Sequence, residues 1–286
     1  MSHTLVGNLA QTIAEGIAKK LPERTDIRDD FQKAEGEIEF TADGTCINTR
    51  DENGKSEWRE MKVGILAKRT CGESATPAEW ESRILPEPSV VSAFAAVEHK
   101  EAFQERCQAE ARRLGVSEVS SALGDGALWI WSLILLVFGK TAECLDIYHA
   151  LEHVADCGKI LYGKGTEFTE WLERMRLVLL SEGFGGMNRE LSSMLDSGKL
   201  SLGQCVAVKS LQNYLANNRE RLYYCERLVA GRAIGSGQVE GACKNLVGRR
   251  LKQTGACWRV ERANRVAVLC ALLYAKQWNT YWKNSP

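Results

Sequence analysis

The positions of hydrophobic residues divide the chain into a helical arm, a region of mixed strands and helices, and a long helical block. Leucine and isoleucine recur every four residues between Leu5 and Ile17, and this spacing predicts a helix over Leu5–Lys20. We interpret residues 1–34 as an N-terminal arm that precedes the main domain.

Two stretches at the start of the main domain alternate between hydrophobic and polar residues. The first covers Glu37–Ala42 and the second covers Met61–Ala67, and such alternation is typical of half-buried strands. Asn53-Gly54 lies between them, and this dipeptide favours a tight hairpin. We therefore predict an antiparallel pair whose first strand ends at Asp43.

The next segment combines loop, strand and helix signals. Three prolines within Cys71–Pro88 predict a loop, and Phe103–Leu114 has helical spacing that Gly115 would end. The remaining predicted elements are strands at Val90–Val97, Val116–Leu123 and Thr141–Tyr148, and a helix at Trp129–Phe138. This order predicts an α/β fold with a mixed sheet over residues 35–150.

The alternation disappears after His149. From Glu152 to Ala230 the hydrophobic residues occur at helical spacing, so we predict an all-helical insertion over residues 151–233. Residues 234–286 then predict C-terminal helices that complete the core, at Gln238–Arg250 after a Ser236 N-cap and at Arg259–Trp282.

The distribution of charge indicates a partner. The net charge of the whole chain is zero, but the segment from Arg219 to the C-terminus contains thirteen basic and four acidic residues. Such a segment favours a polyanion such as double-stranded DNA, although a solvated helix face has the same pattern. The candidate DNA contacts are Lys244, Arg249, Arg250, Lys252, Trp258 and Arg259.

Other features of the composition narrow the class of protein. No hydrophobic stretch reaches transmembrane length, and the N-terminus lacks the apolar run of a secretory signal. We therefore expect a cytoplasmic protein with no membrane partner. The ten cysteines are scattered and include no C-x-x-C pair, so we expect them to be mostly reduced thiols.

Three acidic residues lie at the edges of predicted elements. Asp43 and Asp125 are next to glycines, and Glu240 lies in the first turn of a predicted helix. Carboxylates brought together repel one another unless a divalent cation such as Mg²⁺ binds between them. Two such ions can activate a water or a 3′-hydroxyl for attack on a phosphodiester. The alternative for Asp125 is a turn residue that caps the next helix.

A second candidate site is His149-Ala150-Leu151-Glu152-His153, which fits the H-x-x-E-H pattern of a zinc hydrolase. On a helix the two histidines share a face and could hold Zn²⁺, but the sequence identifies no third ligand. The Gly235-Ser236-Gly237 loop could bind a phosphate, but it lacks the lysine of a P-loop.

Taken as a set, several motifs resemble the transposases of bacterial insertion sequences of the Kra type, within the Mutator-like DDE group. The matching segments are Ala42–Thr45, Trp58–Gly64, Gly124–Trp131, Leu145–His153 and Ile234–Lys244, followed by Arg250-Leu251-Lys252, Gly255 and Trp258. Their order and spacing cover roughly residues 40 to 282.

The resemblance implies a ribonuclease-H-like mixed sheet with an all-helical insertion before the last catalytic helix. In that fold the first acid lies on the first strand, the second follows the fourth strand, and the third lies on a late helix. Asp43, Asp125 and Glu240 are therefore the expected catalytic residues and ligands of Mg²⁺ or Mn²⁺. Asp146 and His149 are expected to support the active site or contact DNA, and Asp146 is the alternative second acid.

The resemblance also implies an activity and a setting. We expect metal-dependent cleavage and strand transfer of double-stranded DNA, at element ends and target, by a homo-oligomer associated with the bacterial nucleoid. Two alternatives remain at this point: a DNA-binding transposase remnant without turnover, and a zinc hydrolase that uses His149 and His153.

Overall fold

The computed structural model describes residues 3 to 283, with side chains from residue 7 onward, and contains a five-stranded mixed sheet. The strands are β1 (Glu37–Arg50), β2 (Ser56–Arg69), β3 (Val90–Ala96), β4 (Ser121–Gly124) and β5 (Glu143–Leu145). Their spatial order is β3-β2-β1-β4-β5. The β1–β2 and β2–β3 pairs are antiparallel, whereas β1–β4 and β4–β5 are parallel. The predicted α/β class with a mixed sheet is therefore confirmed.

Helices precede, interrupt and follow the sheet. Before and between the strands lie α1 (His3–Lys20), α2 (Thr25–Lys33), α3 (Lys100–Leu114) and α4 (Leu128–Phe138). After the sheet come α5 (Ile147–Tyr162), α6 (Thr166–Asp196), α7 (Leu202–Asn217) and α8 (Tyr224–Val229). The C-terminal part contains α9 (Gly237–Ala242), α10 (Arg249–Leu251), α11 (Val260–Tyr274) and α12 (Trp278–Lys283).

Side chains from alternate positions of β1 and β2 pack into two hydrophobic cores. Phe40 and Leu66 lie in the core that α3, α4 and the helices after β5 complete. Val63 and Ile65 lie in the opposite core, against α9 and α11. Because successive residues of a strand point to opposite faces, this pattern leaves Glu39, Thr41 and Asp43 of β1 on a common face.

The predicted hairpin forms, but its strands are longer than the alternating runs. β1 and β2 remain paired as far as Arg50 and Ser56, so five residues connect them and Asp43 lies within β1. The extension is held by a backbone segment from the C-terminal part, since Trp258 bonds to the backbone of both Asn48 and Arg50. A prediction that the strand ends at Asp43 was therefore wrong.

Two predicted strands are much shorter in the structure. β4 begins only at Ser121, although Val116 and Val119 are buried outside it. β5 ends at Leu145 because the Asp146 side chain accepts hydrogen bonds from the next backbone amides and starts α5. Val116 and Val119 are buried in irregular backbone, and their pattern in the sequence is the same as that of a strand.

The segment after β5 is helical, as predicted, and no strand occurs between residues 151 and 233, all of which the structure describes. Its first helix begins at Ile147, slightly before the predicted start of the insertion. Its buried side chains are continuous with the sheet core, since Val154 and Leu179 share a cluster with Phe40.

Both ends of the chain differ in detail from the predictions. Ile17 of α1 packs with Leu272 of α11, so the arm helix lies against the C-terminal helices. The predicted helix over Gln238–Arg250 contains a π-helical turn at Cys243–Gly248 between α9 and α10. The predicted final helix is two helices, because Lys276 adopts a left-handed backbone (φ +56°) between α11 and α12.

Candidate active site

Three aspartates lie at one level across adjacent parallel strands. Thr41 of β1 pairs with Leu123 of β4, so Asp43 and Asp125 lie two residues beyond this pair. Gly124 pairs with Leu145 of β5, so Asp125 and Asp146 each follow the end of a strand. This is the edge at which α/β sheets commonly bind ligands.

Glu240 reaches the same edge from α9. Val239, the preceding residue, is buried against β2, which holds this short helix on the sheet. One ligand atom each from Glu240, Asp146 and His149 lie within 4.8 Å of one another. The Glu240 carboxylate has no hydrogen-bond or ion-pair partner among residues 3 to 283. We call Asp43, Asp125, Asp146, His149 and Glu240 the acidic cluster.

Asp146 is the most constrained member of the acidic cluster. Its side chain is fully buried, and Oδ1 accepts hydrogen bonds from the backbone amides of Tyr148 (2.6 Å) and His149 (3.0 Å). Oδ2 accepts a further hydrogen bond from the backbone amide of Ser236. Burial acts to raise the pKa of Asp146, but its contacts with His149 and Ser236 outweigh burial and lower it. Asp146 therefore joins α5 to the loop that leads to Glu240.

The His149 imidazole lies beside this carboxylate, with Nδ1 3.6 Å from Oδ1 of Asp146. The Asp146 contact, reinforced by the charges of Asp146, Asp125 and Glu152, raises the pKa of His149 to about 9 despite partial burial. In the metal-free protein His149 is therefore a cation at neutral pH. A metal that binds this nitrogen must displace its proton.

The carboxylates of Asp43 and Asp125 accept fewer hydrogen bonds than that of Asp146. Asp43 accepts from the amide of Gly44 (2.6 Å) and from the thiol of Cys243 (3.5 Å). Burial raises the pKa of Asp43, and the negative charge of Asp125 adds to the increase. Asp125 Oδ1 accepts from the amide of Ala127 (2.8 Å), as a turn aspartate would. Its Oδ2 has no partner in the described part of the chain.

The structure brings together a different trio from the one predicted. Asp43, Asp125 and Glu240 do not form a group within 4.8 Å, whereas Asp146, His149 and Glu240 do, within the described residues. Sequence reasoning gave Asp146 and His149 as support residues, with Asp146 as the alternative second acid and His149 as a zinc ligand of the alternative hydrolase. The signal for this grouping was the Asp-x-x-His spacing across a strand end, which places both side chains in the first turn of α5.

The predicted zinc pair, His149 and His153, does not belong to one group of three ligands among the described residues. The His153 ring stacks on Tyr214, with ring centroids 3.7 Å apart, and His153 is absent from the one trio found between residues 3 and 283. The Gly235-Ser236-Gly237 loop makes a contact within the chain. The backbone amide of Ser236 donates to Asp146, and the Ser236 side chain makes no capping hydrogen bond.

Of the predicted DNA contacts, Lys252 lies next to the acidic cluster. The side chains of Lys244, Arg249, Arg250, Lys252 and Arg259 are exposed, and no acidic side chain among the described residues pairs with them. Lys252 Nζ donates to the Thr45 hydroxyl, two residues from Asp43. Trp258 is only partly exposed, and its indole donates to the carbonyl of Leu251 (3.0 Å), which gives it a structural role.

The donor set of the acidic cluster fits a divalent cation. Glu240 and one oxygen of Asp125 offer unpaired lone pairs, and carboxylate oxygens are the ligands that Mg²⁺ and Mn²⁺ prefer. The imidazole of His149 is a softer donor that suits Mn²⁺ or Zn²⁺ better than Mg²⁺. Positive charge here would also offset the repulsion from Asp125, which adds to the effect of burial in raising the pKa of Asp43.

Comparisons with known proteins do not assign the chain to a family. No protein-family model and no curated protein matches it. None of the helices within residues 3 to 283 combines the length and the apolar character needed to cross a bilayer.

Proposed function

We propose that the chain is a DDE-type transposase that performs metal-dependent cleavage and strand transfer of DNA. The observation that carries this proposal is the row of Asp43, Asp125 and Asp146 across three parallel strands, with Glu240 presented to it by α9. Carboxylates collected at such an edge suit the binding of cations and of the phosphodiester on which they act.

The placement of the acids agrees with a ribonuclease-H-like domain, the fold that the resemblance implies. Asp43 lies on the first strand, Asp125 follows the fourth, and Glu240 lies on a late helix after an all-helical segment. This order supports Asp43, Asp125 and Glu240 as catalytic residues. Asp146 has fewer free lone pairs than Asp125, because it already accepts three backbone hydrogen bonds.

Asp43, Asp125 and Glu240 would hold Mg²⁺ or Mn²⁺, with Asp146 and His149 beside them. Bound there, the ions supply Lewis-acid stabilisation of phosphate oxygens and activate the attacking water or 3′-hydroxyl. Asp146 fixes the Ser236 loop and therefore the position of α9. The His149 cation acts to lower the pKa of Asp43, and its charge would attract a DNA phosphate that enters the site.

The exposed basic residues would position DNA along the acidic cluster. Lys252 lies beside Thr45, and the same C-terminal segment exposes the basic side chains of Lys244, Arg249, Arg250 and Arg259. Contacts of this kind neutralise phosphates and release counterions, so binding weakens as salt rises. We expect Arg250→Ala to lower affinity for all sequences and to reduce the slope of log affinity against log salt by about one. Fluorescence anisotropy of a labelled duplex at several NaCl concentrations measures this slope, and an unchanged slope contradicts the assignment.

Nicking of supercoiled plasmid DNA in Mn²⁺ tests the catalytic assignment without knowledge of the element ends. We expect the wild-type chain to nick, and Asp125→Asn to lose nicking while it still binds DNA, because only the metal-binding oxygen is lost. Asp156→Asn is a matched control, since Asp156 is an exposed aspartate on α5. Nicking retained at the wild-type rate by Asp125→Asn refutes the proposal.

The alternative of a DNA-binding remnant rests on the same basic surface. It predicts that the wild-type chain binds duplex DNA with the expected salt dependence but does not nick it in Mg²⁺ or Mn²⁺. The plasmid assay therefore distinguishes the two functions in one experiment.

A further inference from the structure

Tyr214 of α7 lies against the turn that carries Asp125. Its hydroxyl oxygen is 3.4 Å from the position that a Cβ on Gly126 would occupy. Gly126 directly follows Asp125 and has a left-handed backbone (φ +99°), and it has no side chain that would keep the phenol away. Because α7 belongs to the helical segment between β5 and α9, Tyr214 brings a side chain of that segment to the acidic cluster.

The Tyr214 hydroxyl is buried and makes no hydrogen bond within the described part of the chain. Buried polar groups in folded proteins are nearly always hydrogen-bonded, so an unpaired phenol indicates a partner that it reaches in another state of the site. The oxygen has almost no access to solvent. The partner is therefore a neighbouring side chain and not a ligand in an open cavity.

Contacts on two sides hold the phenol ring in place. The ring stacks on the His153 imidazole of α5, with ring centroids 3.7 Å apart and an angle of 27° between the planes. The buried Asn218 side chain donates to the backbone carbonyl of Tyr214 (3.0 Å) and holds the end of α7. The hydroxyl oxygen therefore stays next to the Asp125 turn.

Asp125 is the carboxylate best suited to accept from this hydroxyl. Burial raises the pKa of Tyr214. The negative charges that add to this increase are, in order of effect, those of Asp125, Asp146 and Glu152. Asp146 already accepts three backbone hydrogen bonds, and Glu152 is exposed on α5. Asp125 keeps an oxygen, Oδ2, without a partner among the described residues, so an unpaired acceptor and an unpaired donor occur at one turn.

We propose that Tyr214 is a positioning residue for Asp125 and donates a hydrogen bond to its Oδ2 when a divalent cation is bound at the acidic cluster. A carboxylate oxygen that ligates a cation keeps a second lone pair, which can accept from the phenol. Donors outside the ligand set orient metal-binding carboxylates, and their loss weakens metal binding about 10- to 100-fold. The inference rests on the proposed metal-dependent function and adds the helical segment to that site.

Titration of the metal-free full chain with Mn²⁺, followed by electron paramagnetic resonance of the free ion, tests the proposal. We expect Tyr214→Phe to weaken Mn²⁺ binding by about tenfold or more. Its melting temperature in EDTA should equal that of the wild type, because the metal-free chain loses no hydrogen bond. Tyr224→Phe is the matched control. Tyr224 is fully buried with an unpaired hydroxyl, but it lies on α8 and is not among the nearest contacts of Gly126.

Binding of a labelled DNA duplex in EDTA separates this role from a DNA contact. We expect Tyr214→Phe to bind the duplex as the wild type does, because the hydroxyl is buried. Lost duplex affinity with unchanged Mn²⁺ affinity assigns Tyr214 to DNA and overturns the proposal. A lower melting temperature of Tyr214→Phe in EDTA assigns a structural role and also overturns it.

The Mn²⁺ titration distinguishes failure of this inference from failure of the proposed function. Saturable Mn²⁺ binding by the wild type, with equal affinities of Tyr214→Phe and Tyr224→Phe, overturns the role of Tyr214 and leaves the metal site intact. Absence of saturable Mn²⁺ binding by the wild type overturns both.

Discussion

Replacing Asp146 with asparagine tests whether this one carboxylate holds α5 and the Ser236 loop together. Asparagine has the same shape, so its carbonyl oxygen can still accept from the amides of Tyr148 and His149. Its amide nitrogen, however, then faces the backbone amide of Ser236, which now donates to Asp146. Two N–H donors, one from the substituted side chain and one from the Ser236 backbone, would then face each other in a fully buried site without an acceptor.

The expected cost follows from these contacts. A buried donor without an acceptor costs about 1–3 kcal/mol, and hydrogen bonds to the neutral side chain are roughly half as strong as those to a carboxylate. We therefore expect Asp146→Asn to lower the free energy of unfolding by about 3 kcal/mol. For a chain of this size that is a fall in melting temperature of roughly 6–12 °C.

Thermal and urea unfolding of metal-free protein in EDTA measure the change, and Asp156→Asn on the same helix is the control. Asp156 is 72% exposed, so its replacement should leave stability nearly unchanged. NMR titration supplies a second readout: without the Asp146 charge, the pKa of His149 should fall from about 9 towards its usual 6.5. Equal stability of the two variants, together with an unchanged His149 pKa, would refute the reasoning.

Two further predictions concern pH and backbone conformation. The raised pKa of His149 stabilises the metal-free protein fully below pH 6.5, and this contribution is lost as pH rises through about 9. The lowered pKa of Asp146 stabilises the folded protein at pH values above the usual carboxyl pKa of 3.8. This stabilisation is lost as the pH falls below that value. Urea unfolding across this range checks both, and constant stability from pH 6.5 to 9 contradicts the first. Gly183→Ala should destabilise by more than about 1 kcal/mol, because Gly183 has φ +55° and a Cβ would lie 2.3 Å from the carbonyl oxygen of Leu222. Gly185→Ala on the same helix is the control, and equal melting temperatures would exclude the steric explanation.

The elements that the sequence predicted best were those with a regular pattern. The alternation from Met61 to Ala67 identified β2, because one side of each strand in the hairpin packs differently from the other. Short buried strands carry no such alternation, so β4 and β5 were placed correctly in order but made too long. The end of α11 was missed because a lysine, Lys276, adopts a backbone conformation that glycine usually supplies.

The candidate site was predictable only in part. The strand end before Asp125 indicated the edge at which acids would collect, and the helix carrying Glu240 was also expected, whereas Asp146 was placed inside a predicted strand. Distances among side chains depend on how α9 packs, which no local pattern encodes.

We propose that Asp43, Asp125 and Glu240 bind divalent cations in one place. Anomalous scattering from crystals grown with Mn²⁺ measures where the cation binds. We expect a Mn²⁺ peak in direct contact with Glu240 and with at least one of Asp43 and Asp125, and loss of that peak in Glu240→Gln. A Mn²⁺ peak elsewhere, with these carboxylates facing separate surfaces, would contradict it.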